Sequence, residues 1–179
     1  NDGGRYNPAK DSWKAISTDG APSARAGHVA VWTTEEMLVW GGSARDPAAP
    51  SDYYVNGARY NPETDTWKPM SAVGAPKGRL LTAAAWTRRE MVVWGGVNDA
   101  QGNGGRFVGT GGRYNPASNT WTPTSTVNAP TPGWNSSVVW TGTEMIVWGG
   151  SSYGYTNSGG RYNPSSDSWL ATSTGAAVP

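Results

Sequence analysis

The sequence predicts an all-β protein assembled from near-identical four-stranded antiparallel units. Three observations carry that prediction. The first is a period of 54 residues: Trp40-Gly41-Gly42 returns as Trp94-Gly95-Gly96 and again as Trp148-Gly149-Gly150. Glu36-Met37, Glu90-Met91 and Glu144-Met145 keep the same step, as do Trp32, Trp86 and Trp140. The second is a cassette, Arg-Tyr-Asn-Pro, that starts at Arg5, Arg59, Arg113 and Arg161. A Trp follows its Tyr by seven residues each time: Trp13, Trp67, Trp121 and Trp169. The third is the punctuation, with Gly and Pro closing short apolar runs and no stretch showing a capped helical period. A fixed period near 50 residues marks a repeat architecture.

The first strand of a unit is clearest from Arg25 to Thr33, where His28, Val29, Ala30, Val31 and Trp32 make both faces apolar enough for an inner strand. Thr34-Glu35 forms a tight turn, matched by Arg88-Arg89 and Gly142-Thr143. Turn length is therefore fixed while turn chemistry is free. Glu36 to Trp40 is the second strand, ended by a Gly pair that permits positive φ or close backbone approach. A variable loop follows. The third strand carries Arg59-Tyr60, and Asn61-Pro62 opens the next turn, because Pro presets φ and Asn closes a turn on itself. Asp65 precedes the fourth strand, which holds Trp67.

The bulk numbers remove several function classes. The chain has 179 residues with 14 basic and 13 acidic side chains, spread without runs. That is not the clustered basic field of a nucleic-acid binder. The absence of Cys excludes disulfides, thiolate metal sites and cysteine nucleophiles. No apolar run approaches the roughly 18 residues of a spanning helix. The 25 Gly and 13 Pro suit many short strands joined by tight turns. Of eleven Trp, only Trp134 falls outside a repeat column. The start at Asn1, without Met or signal peptide, reads as a processed product or a piece of something longer.

Four antiparallel strands per unit, with an aromatic in each outer strand, describe a blade of a β-propeller. On the Gly-Gly pair after an apolar strand, the Tyr of the third strand and the Trp of the fourth, the whole chain resembles the kelch-repeat family. It is closer still to bacterial kelch-like arrays. The resemblance implies a propeller whose commonest role is binding other molecules, and an exported protein: extracellular, at the cell surface or periplasmic. The predicted organisation is a single array of about three and a half blades, or fourteen strands. A half blade covers residues 1–17, and full blades cover 18–71, 72–125 and 126–179. Such an arc leaves two apolar blade faces bare. The implied partners there are more propeller blades, another copy, or a capping subunit.

Uniform columns are read as architecture. Arg5, Arg59, Arg113 and Arg161, with Glu36, Glu90 and Glu144, are expected to form an ion pair or hydrogen bond repeated in each blade. His28 is the only His, and its column continues as Thr82 and Ser136, which reads as channel lining. The family's copper radical oxidases need two His and a Cys, which this chain lacks. No catalytic residue, cofactor or metal is assigned. Asp46, Asp52, Asn98 and Asp99 offer loop oxygens but not the regular spacing of a calcium loop.

Specificity is instead expected in what differs between copies. The loops from strand two to strand three run from Ser43 to Asn56, Val97 to Thr110 and Ser151 to Ser158. They carry Tyr53, Tyr54, Arg106, Phe107, Tyr153 and Tyr155. Arg25, Arg79 and Trp134 reach the same face from the links between blades. These nine residues form the predicted ligand-binding set, because variable loops on a rigid scaffold carry recognition and exposed Tyr, Trp and Arg dominate binding energy. The function this implies is a non-enzymatic binding or scaffold module for a protein or a glycan. The alternatives are a sugar-active enzyme resembling sialic-acid mutarotases, with Arg25 and Arg79 near the axis, and a purely structural subunit.

Overall fold

A computed structural model describes residues 2–44, 53–98 and 106–174. No helix occurs among them. Three four-stranded antiparallel sheets follow one another along the chain. The first, blade A, joins β3 (Val29–Trp32), β4 (Met37–Trp40), β5 (Gly57–Asn61) and β6 (Thr66–Pro69) in that order. Blade B joins β7 (Ala83–Trp86), β8 (Met91–Trp94), β11 (Gly111–Asn115) and β12 (Thr120–Pro123). Blade C joins β13 (Ser137–Trp140), β14 (Met145–Trp148), β15 (Gly159–Asn163) and β16 (Ser168–Ala171). Ahead of them β1 (Gly4–Asn7) and β2 (Ser12–Ala15) pair as a half blade. The blades form an open kelch-type propeller arc, as the repeats predict.

Blade B has one addition. A two-residue pair, β9 (Val97–Asn98) with β10 (Arg106–Phe107), stiffens the base of its variable loop. Turn chemistry is as read from the sequence. The side-chain carbonyl of Asn61 accepts from Glu63 N at 2.8 Å and Thr64 N at 3.2 Å, and Asn7, Asn115 and Asn163 repeat the arrangement.

The apolar cores lie between blades rather than inside them. Strand period two sends alternate side chains to opposite faces. In β8, Met91 and Val93 join Leu38 and Trp40 of blade A, with Tyr114 and Trp121. Val92 and Trp94 join Met145, Val147, Tyr162 and Trp169 of blade C. All four residues of β8 are therefore buried. Trp40 meets Trp121 with ring centroids 5.2 Å apart, and Trp94 meets Trp169 at 4.8 Å.

Polar fastenings run along the same joints. Arg59 reaches forward to the Pro116 carbonyl at 2.5 Å, and Arg113 to the Pro164 carbonyl at 2.7 Å. Arg5 makes the same bond to the Pro62 carbonyl. Behind them Glu36, Glu90 and Glu144 pair with Arg59, Arg113 and Arg161 at 3.6, 4.0 and 3.4 Å. A second set reaches backward. The Trp67, Trp121 and Trp169 indoles donate to the carbonyls of Ser17, Ser71 and Ser125 in the preceding links. Asp65, Asn119 and Asp167 accept from the amides of those same serines, and each also accepts from its own blade's Tyr hydroxyl.

Candidate functional site

The candidate site lies where the variable loops leave the second strands. Its foundation is the Gly pair. Gly41 and Gly42 have φ of 74° and 86°, Gly95 and Gly96 71° and 92°. Two successive left-handed residues suit glycine alone. They turn the chain so that Gly42 N donates to the Arg79 carbonyl at 2.7 Å and Gly96 N to the Gly133 carbonyl at 3.0 Å. A Cβ on Gly42 would stand 2.7 Å from the Ala26 carbonyl oxygen. Each loop is thereby pinned to the link that opens the next blade, which places loops and links on one face.

The returning end of each loop is held in the same way. Tyr54, Val108 and Thr156 amides donate to the carbonyls of Gly42, Gly96 and Gly150. This puts Tyr53, Phe107 and Tyr155 in equivalent positions, each bridged to the residue just past the Gly pair. Read from the sequence, these aromatics broke the repeat. In the structure three of them form a column of their own, six residues before each Arg. Counting backward from the Arg, across the constant stretch, reveals it; counting forward across the variable stretch hides it.

Blades B and C bring their loops into contact. The Phe107 and Tyr153 rings meet edge to face, 5.1 Å apart at 82°. A groove of about 320 Å³ lies beside them, lined also by Thr131, Pro132 and Ser152. Thr131 and Pro132 come from the link, which the sequence reading passed over because Pro there reads as punctuation. Tyr153 and Tyr155 are 96% and 97% exposed, and Trp134 is 40% exposed. Aromatic rings left in water at the mouth of a groove are the usual means of anchoring a partner.

Arg25 and Arg79 serve the loops differently from the aromatics. Arg79 is 1% exposed. Its guanidinium donates to the Gly95 and Thr110 carbonyls at 3.1 and 2.7 Å and to Thr110 Oγ1 at 3.0 Å, while Nε donates to the Lys77 carbonyl. Burial pulls its pKa down to about 10, which leaves it a cation at neutral pH. It braces the loop base from behind the surface. Arg25 repeats the brace on Gly41 and Asn56 and sits 4.3 Å from the Tyr54 ring centroid, a cation–π contact. Burial followed by the field of Tyr54 sets its balance, and the result is a lowered pKa. Blade C has Gly133 in this column and no brace. Arg106 pairs through its backbone with Asn98. Tyr53 and Tyr54 lie in blade A, apart from the Phe107–Tyr153 contact. Asp46, Asp52 and Asp99, together with loop residues Arg45 and Gln101, lie outside the described residues.

Four-stranded blades, interlocked joint by joint and bearing variable loops on one face, define the class of β-propeller binding scaffolds. The particular family is now plain. The chain matches the KLHDC2/KLHL20/DRC7 Kelch-repeats domain over residues 1–179, and it belongs to the kelch-repeat family. Kelch domain-containing protein 2 of Mus musculus and of Homo sapiens are each 30% identical over 105 residues, covering 56% of this chain. The matched stretch spans 25% of the length of those relatives. Kelch repeats generally mediate protein binding or scaffolding and are generally non-enzymatic.

Proposed function

We propose that this chain is a non-enzymatic recognition scaffold that takes a protein segment on its loop face, centred on the groove beside Phe107 and Tyr153. The supporting observation is the edge-to-face contact of those two rings across two blades, which leaves Tyr153 almost wholly in water. An isolated exposed Tyr is unremarkable. One oriented by a neighbour at the mouth of a groove is already positioned for a partner, which lowers the cost of ordering it on binding. Tyr155 and Trp134 extend the same apolar surface, and Arg25 and Arg79 hold the loop bases in place. The two open blade faces are, in the same reading, joined to further propeller structure.

Selection of displayed peptides against the chain, run beside a glycan array, tests the loop-face reading. The expected result is an enriched peptide class whose affinity drops at least about tenfold in Tyr153→Ala, with thermal unfolding unchanged. Glycan binding without peptide binding would replace the ligand class. Peptides that bind Tyr153→Ala as well as the parent would remove the site.

A further inference from the structure

The two ends of the arc are complementary halves of the joint seen twice inside it. At each internal joint a second-strand Trp stacks on the fourth-strand Trp of the next blade, as Trp40 on Trp121 and Trp94 on Trp169. A third-strand Arg then donates to the Pro carbonyl of the next blade's turn. Blade C ends the arc with the forward half of that joint. Trp148 is 40% exposed where Trp40 and Trp94 are 1% and 2%. The Arg161 side chain is 43% exposed, against 16% and 18% for Arg59 and Arg113. The half blade opens the arc with the backward half. Trp13 is 72% exposed where Trp121 and Trp169 are 6% and 2%, and Pro8 stands in the turn at the position of Pro116 and Pro164.

We propose that copies of this chain associate head to tail, the blade C face of one docking on the half blade of the next. Trp148 of one copy stacks on Trp13 of the other, and Arg161 donates to the Pro8 carbonyl. The interface is heterologous, since the two surfaces differ and only one orientation matches them. It deepens the reading that the open faces are joined, and commits that joining to a second copy. The apolar recess between the half blade and blade A, about 540 Å³ and lined by Tyr6, Ile16, Val31 and Trp32, stays outside the contact.

Complementation gives the test. Trp13→Ala keeps only the forward face, and Trp148→Ala only the backward face. Both side chains are exposed, so each variant should keep the parent's circular dichroism spectrum. Sedimentation should show the parent associating at about 100 µM, and each variant alone associating at least about tenfold more weakly. An equimolar mixture should form a one-to-one pair and nothing larger. Arg161→Ala should weaken association by about threefold. A parent that stays monomeric at about 100 µM overturns both this inference and the joined-face reading. A parent that associates while the mixture gains nothing over its components overturns the head-to-tail inference alone. A third arm, association of Trp13→Ala with itself at parental strength, points to a like-with-like interface and also overturns it.

Discussion

Trp94 and Trp148 occupy the same place in successive blades, yet one is 2% exposed and the other 40%. Their own sheets do not differ in kind. Both follow an apolar second strand and precede a Gly pair with positive φ. What differs is the neighbour: Trp94 has Trp169 over it, and Trp148 closes an open face. Gly95 and Gly149 repeat the lesson, since a Cβ on Gly95 would meet the Gly133 carbonyl at 3.2 Å while one on Gly149 finds nothing nearer than 3.6 Å. A blade in this array is a half-built core. Its stability resides in joints, as expected where each repeat contacts only its neighbours.

Three measurements press on that contrast. The largest effect should come from the tryptophans. Trp94→Ala opens a cavity in the joint between blades B and C and should cost about 3–5 kcal/mol in urea unfolding. Trp148→Ala, measured in dilute solution, should cost under about 1 kcal/mol. Equal losses would mean that blades, not joints, hold the stability. Next come the arginines. Arg113→Ala removes both the bond to the Pro164 carbonyl and the pairing with Glu90, and should cost about 1–3 kcal/mol. Arg161→Ala should cost about 0.5 kcal/mol or less in the same dilute conditions. If Arg113→Ala kept its stability and lost a binding activity instead, the column would be a site and not a fastening.

The smallest effect is a pH dependence that differs between joints. Asp65 is held below the ordinary carboxylate range by the Tyr60 hydroxyl, then the Ser17 amide. Burial alone would push Asp167 up, but the Tyr162 hydroxyl, the Ser125 amide and Arg113 outweigh it and hold it low. A lowered folded pKa means the clasp contributes fully above the ordinary carboxylate pKa and is lost as pH falls through the folded value. Asn119 makes the same clasp on Ser71 without a titrating group. Between about pH 5 and pH 2 the amide NMR signals of Ser17 and Ser125 should shift, and that of Ser71 should stay. Asp167→Asn should remove the Ser125 response. Uniform behaviour of the three serines would show that the clasps do not titrate separately.

Most of the fold was legible because the repeat fixes strand order. Once Trp-Gly-Gly and Arg-Tyr-Asn-Pro recur in register, four strands per blade follow from turn chemistry. The Arg–Glu column was also legible, since opposite charges recur together. The bond from each Arg to the next blade was not, because its acceptor is a backbone carbonyl that every residue owns. Arg79 misled in a related way. An Arg beside a variable loop reads as a contact residue, and only the carbonyls around it reveal a brace. In the loops, Tyr153 and its groove depend on two blades meeting through a T-shaped contact, and no pattern along one chain encodes that.

The Gly pairs carry a consequence for how such a protein changes over time. Both ends of every loop are hooked onto the same three carbonyl-and-amide points, whatever lies between. A loop is thus a removable part seated in a fixed socket. The blade C loop is six residues shorter than the other two, and it still returns to Gly149 and Gly150 through Ser158 and Thr156. Closing a loop about twice as long costs only about 0.6 kcal/mol. Insertions and exchanges between blades therefore leave the joints untouched, and a loop transplanted from one blade to another would arrive at matching hooks. Novelty in recognition can accumulate here at almost no cost to folding, one blade at a time.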